Sequence, residues 1–164
     1  AKKKEYCYEG LIEDEGLVVS EFYDFLVQKI TNLTDKDEGD FVEACLSIIP
    51  ALGIPENWLQ IICNLLTKLN HHSHEDIISD LQNSKNPFCI PYLKKAVEIK
   101  PQLEYLGYDD YGSYYKKCLW ALFAIDTKEC KEIIKSYTQS SISELKKEAI
   151  YRLSKFENKN KGRT

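Results

Sequence analysis

Tyr114-Tyr115-Lys116-Lys117-Cys118-Leu119-Trp120-Ala121-Leu122-Phe123-Ala124-Ile125 is apolar on nearly every side when wound as a helix. Cys118, Leu122 and Ile125 share one stripe, Leu119 and Phe123 another, and Trp120, Ala121 and Ala124 fill much of the remainder. A helix that is apolar all round has to be covered on more than one side. In a chain of 164 residues that places it inside a stack of helices rather than at the edge of a bundle. It closes a longer organising stretch. That stretch opens at His71-His72-Ser73-His74-Glu75-Asp76-Ile77-Ile78 and passes through Asn86-Pro87-Phe88-Cys89-Ile90-Pro91-Tyr92-Leu93.

The rest of the chain repeats the helical period. Val18, Phe22, Leu26 and Ile30 make the first clear stripe, and Phe41, Cys45, Ile48 and Ile49 the second, with Pro50 expected to end or kink it. Pro55 to Asn70 is the clearest helix, its buried face read as Trp58, Ile61, Ile62, Leu65, Leu66 and Leu69. Ser73 with Asp76 is spaced as a capping box for the helix carrying Ile77, Ile78 and Leu81. Asn86 and Pro87 supply a cap and a first-turn proline for the next. Residues 100–113 form a long connection. After the apolar helix, Asp126-Thr127 starts a seventh helix with Cys130, Ile133, Ile134 and Tyr137, and Ser141 with Glu144 fits a capping box for an eighth. Ile142, Leu145, Ala149, Leu153 and Phe156 are its buried stripe, and 157–164 reads as a frayed basic tail. No segment alternates as a strand does. The fold class expected is all-α: about eight helices, 1–164 as a single domain, in antiparallel pairs stacked as a small right-handed α-solenoid.

Composition narrows the functions. A net charge of −4 argues against nucleic acid as the direct ligand and against an anionic membrane surface. No apolar run is long enough to cross a bilayer. Ala1-Lys2-Lys3-Lys4-Glu5 is basic without an apolar core behind it, so no secretory leader is expected and a cytoplasmic location is. The six cysteines, at 7, 45, 63, 89, 118 and 130, include no C-x-x-C pair and read as buried free thiols.

Two segments repeat one another. Ile90 to Lys95 leads through a loop to a helix with Lys116-Lys117, and Cys130 to Lys135 leads through a turn to one with Lys146-Lys147. The chain resembles HEAT-like repeat proteins, clearly over 74–156 and more faintly over 16–70. With His74-Glu75-Asp76-Ile77, Asn86-Pro87 and Lys117-Cys118-Leu119-Trp120-Ala121-Leu122 it is similar to small bacterial HEAT-like proteins. Several of those are immunity proteins of polymorphic toxin systems, including contact-dependent growth inhibition. That resemblance implies a non-enzymatic monomer, bound one to one to the C-terminal domain of a cognate toxin. A basic nuclease, an RNase above all, is the toxin expected.

The residues themselves suggest where. Six of the eleven tyrosines fall between 92 and 115. Tyr105, Tyr108, Asp109, Asp110, Tyr111 and Tyr114 read either as packing between two repeats or as a recognition loop. In the second reading tyrosine gives contact area at low entropic cost and aspartate meets Lys or Arg. His72, Glu75 and Asp76 are expected to join that surface. A second acidic cluster, Asp35, Asp37, Glu38, Asp40 and Glu43, reads as a solvated turn or as a further contribution. His71, His72, His74 and Glu75 are donor types for a metal, but their spacing fits no zinc motif and suits the polar first turn of a helix, so no metal and no cofactor are expected. The competing functions are a general scaffold or adaptor, a HEAT-like DNA glycosylase, which needs a basic concave face, and a His-cluster metal sensor.

Overall fold

The computed structural model describes residues 19–33, 39–108 and 111–161. They form eight α-helices and, among the described residues, no strand. The helices are α1 (Val19–Thr31), α2 (Gly39–Leu52), α3 (Trp58–Leu65) and α4 (His74–Ser84), then α5 (Ile90–Ile99), α6 (Ser113–Ile125), α7 (Lys128–Tyr137) and α8 (Ser143–Lys161). Three 3₁₀ turns, at Pro87–Cys89, Lys100–Gln102 and Glu104–Leu106, punctuate the run before and after α5. One buried apolar cluster extends from Leu26 in α1 to Phe156 in α8.

The apolar helix is the hub. α6 packs against α4, α5, α7 and α8, and α4, α6 and α8 follow one another in space. Tyr114, Tyr115, Cys118, Leu119, Ala121, Leu122 and Ile125 are buried on it. Coverage is less complete than the sequence suggests. Trp120 is 49 % exposed, with the Arg152 guanidinium 4.8 Å from its ring centre. It lies on the same exposed strip of α6 as Lys116.

Gly112 permits the close approach of α6 to α8. Its φ is +66°, and a Cβ there would sit 2.6 Å from Glu144 Cβ. Gly39, opening α2, has Asn70 O where a Cβ would be, so the start of α2 lies directly on the segment leading into α4.

The ends of the helices differ from the sequence reading in several places: α2 runs on past Pro50 to Leu52, and α3 begins at Trp58 rather than at Pro55. α3 stops at Leu65, so Leu69 falls outside the buried stripe and is exposed. Ser73 is the N-cap of α4 but makes no side-chain cap; its N–H is used by His71 instead. α8 continues through 157–161, a stretch that reads as frayed in the sequence. At other positions residue type and local structure agree. Asn86 Oδ1 accepts from Phe88 N–H at 3.0 Å, Thr127 Oγ1 accepts from Cys130 N–H at 3.2 Å, and Cys45, Cys63, Cys89, Cys118 and Cys130 are buried free thiols. No helix among the described residues is long and apolar enough to cross a membrane.

Candidate protein-binding surface

The early stop of α3 leaves carbonyls without helical partners. Two histidines bond carbonyls at and just beyond that end. His71 Nε2–H donates to Leu65 O at 2.9 Å and His74 Nε2–H to Lys68 O at 2.7 Å. Carbonyl oxygens only accept, so both rings carry their proton on Nε2 and expose a lone pair on Nδ1. His71 Nδ1 accepts from Ser73 N–H at 3.1 Å, and His74 Nδ1 accepts from the Tyr105 hydroxyl at 2.9 Å. The two rings stack 4.1 Å apart and 9° from parallel. Both are buried. Desolvation lowers the His71 pKa, and desolvation together with the facing His71 ring lowers that of His74 to about 4. With every ring nitrogen engaged, neither histidine has a lone pair free for a metal.

Tyr105 carries this buried pair out to the surface. Its ring lies 4.6 Å from that of His72 and 5.8 Å from that of His74. Burial, and then the negative charge of Glu75, raise its hydroxyl pKa, with Tyr108 and Asp76 adding to the effect. The α4 N-terminus and the connection before α6 therefore meet in one place. His72, with its side chain 70 % exposed, is held by its backbone N–H, which donates to Glu43 Oε1 at 3.2 Å. Glu75 forms an ion pair with Lys117 at 3.4 Å, so part of its charge is already answered within the protein. Asp76 is exposed, and burial together with Asp76 raises the carboxyl pKa of Asp80 one turn on.

Tyr108 and Tyr111 are the most exposed large apolar or aromatic side chains among the described residues, at 75 % and 82 %. Asp109 and Asp110, which they flank in sequence, lie outside the described residues, as do Asp35, Asp37 and Glu38 of the second acidic cluster. Asp40 and Glu43 of that cluster open α2, with Glu43 facing His72. Tyr114 does not belong to the surface. It is 0 % exposed, in the core where α6 meets α4, and burial raises its hydroxyl pKa strongly. Of the candidate residues, His72, Glu75, Asp76 and Tyr105 come together with Tyr108 close by, Tyr111 is exposed three residues further on, and Tyr114 is structural.

The role of His71 and His74 as bridges between the end of α3 and Tyr105 is not legible from spacing. The nearest signal is negative: three histidines in four residues that match no metal motif. No family model matches this chain, and neither a curated protein nor a solved structure matches it significantly.

Proposed function

We propose that the chain is a small HEAT-like helical-repeat protein that binds a basic partner through the Tyr105 surface, and that it serves as the cytoplasmic immunity protein of a cognate toxin domain, a nuclease and most simply an RNase. The observation carrying this reading is the convergence of exposed aromatic and acidic side chains on a rigid base. Glu75 and Asp76 stand at the first turn of α4 with His72 just before it, Tyr105 is pinned to them through His74, Tyr108 lies close to Tyr105, and Tyr111 is exposed three residues on.

The repeat reading draws on the succession of α4, α6 and α8, with α5 and α7 between them in sequence. It draws also on the match between α6 and α8, which both begin at serine and bury the same register positions, 115 with 145, 118 with 148 and 119 with 149.

Inhibition of this kind needs no chemistry by the inhibitor. A nuclease holds Lys and Arg in a groove shaped for phosphates. Carboxylates on the inhibitor steer the encounter and occupy that groove, and the tyrosines supply the desolvated contact area that slows release. Pinning Tyr105 beforehand lowers the ordering cost of binding.

The test is to mix the purified protein with the toxin domain encoded beside it, then measure binding and residual nuclease activity in the same samples. Tight one-to-one binding with loss of activity is expected. Binding with activity intact would leave an adaptor using the same face, and no binding would defeat the proposal.

A further inference from the structure

The opposite flank of the molecule carries a second surface with the reverse character. The outward side of α8 places Ile150 and Tyr151, both about half exposed, among the exposed lysines Lys146, Lys147 and Lys155. Lys155 Nζ stands 5.1 Å from the Tyr151 ring centre. Trp120 extends the apolar strip from α6, because the Arg152 guanidinium lies between the two rings, 4.8 Å from that of Trp120 and 5.2 Å from that of Tyr151. Arg152 is held there by Glu148, so the aromatic platform is fixed rather than loose. Beside it runs a groove of about 450 Å³, lined by Thr138 and Gln139 at the end of α7 and by Lys146, Ile150, Leu153 and Ser154 of α8.

We propose that this face docks an acidic amphipathic segment of a partner protein, apolar side chains in the groove and against Tyr151, carboxylates toward the lysines. The site is separate from the Tyr105 surface and does not rest on the immunity reading. Two features select the occupant. The rim carries the exposed Lys146, Lys147 and Lys155 in a chain of net charge −4, so the complement is an anion. The apolar part of the groove lining is Ile150 and Leu153, aliphatic side chains that suit leucine-like anchors spaced along a helix better than they suit stacked bases. A second copy meeting this face about a two-fold axis would bring the lysines against their own equivalents.

The experiment titrates the full chain into a fluorescently labelled synthetic helical peptide of glutamate and leucine at amphipathic spacing and follows anisotropy. A lysine–leucine peptide of the same pattern and a labelled single-stranded oligonucleotide are run beside it. The glutamate peptide should bind and weaken as salt rises. Tyr151→Ser and Lys147→Glu, both at exposed positions, should each weaken it by about tenfold or more, while Tyr108→Ala leaves it unchanged. Failure to bind the glutamate peptide, equal binding of the lysine peptide, or preferential binding of the oligonucleotide would overturn the proposal. So would a concentration-dependent dimer of the chain alone that Tyr151→Ser abolishes.

Discussion

α6 meets α4 on one flank and α8 on the other, and the two flanks bury polar groups by opposite means. Toward α4 they are neutral: His71 and His74 are protonated on one nitrogen only and satisfied by fixed carbonyls, an amide and Tyr105. Toward α8 the buried polar group is the carboxylate of Glu148, matched by Arg152 one turn along. The difference follows from coverage. α4 is enclosed by α3, α6 and the connection before α6, where an ion would be far from water. Among the described residues α8 packs chiefly on α6 and α7, and the Arg152 guanidinium lies between the half-exposed rings of Trp120 and Tyr151. The same contrast separates α6 from α8 position by position: Cys118, Leu119 and Leu122 in the hub stand where α8 has Glu148, Ala149 and Arg152.

Writing the α8 residue into α6 should have the largest effect. Leu119→Ala leaves a cavity at a 0 % exposed site and is expected to cost about 3 to 4 kcal/mol in denaturant unfolding. A cost under about 1 kcal/mol would mean that the hub is no better enclosed than the edge.

Next comes acid. His74 has its pKa lowered from 6.5 to about 4, so the unfolded chain binds the proton first. Stability is fully present above the unfolded value and drains away as pH falls from about 6.5 to 4, by roughly 3 kcal/mol in all. His74→Gln, which keeps a donor and an acceptor without a titrating ring, should flatten that part of the profile. An unchanged slope would remove the neutral-histidine account of the α4 flank.

The α8 flank is probed by swapping in the hub residues. Arg152→Leu strands Glu148 and should cost about 2 kcal/mol, whereas Glu148→Cys with Arg152→Leu should return to within about 1 kcal/mol of the parent. A double variant as unstable as the single would show that the pair itself, rather than its desolvation balance, holds α8 in place.

The smallest effect belongs to the link between flank and surface. Tyr105→Phe removes one hydrogen bond to His74 and should cost about 1 kcal/mol, read as a shift in the denaturation midpoint at constant slope.

How much of this the sequence carries can be judged on the same residues. The hub position of α6 is legible, because a helix apolar on nearly every side is stable in water only when neighbours enclose it. Asn86 and Thr127 likewise announce their caps by residue type and spacing. The end of α3 is not legible. The apolar pattern continues to Leu69, yet His71 and His74 fold back onto Leu65 O and Lys68 O, a tertiary contact that overrides local period. Trp120 illustrates the converse: an apolar residue on the hub helix stays half exposed, with the Arg152 guanidinium over its ring. Of the surface, the tyrosine-rich connection is legible as a cluster, but the burial of Tyr114 is not. Its neighbour Tyr111, three residues earlier, is exposed, and only the position of Gly112 at the start of α6 separates the two environments.

We propose that the α4 flank recognises a basic toxin domain. The direct test is the dissociation constant for the cognate toxin domain with the parent protein, with Tyr108→Ala/Tyr111→Ala, and with Lys147→Glu. All three substitutions are at exposed positions, so folding is not at issue. A loss of about a hundredfold is expected for the tyrosine pair and no change for the lysine. Equal affinities for the parent and the tyrosine variant, or a loss confined to Lys147→Glu, would contradict it.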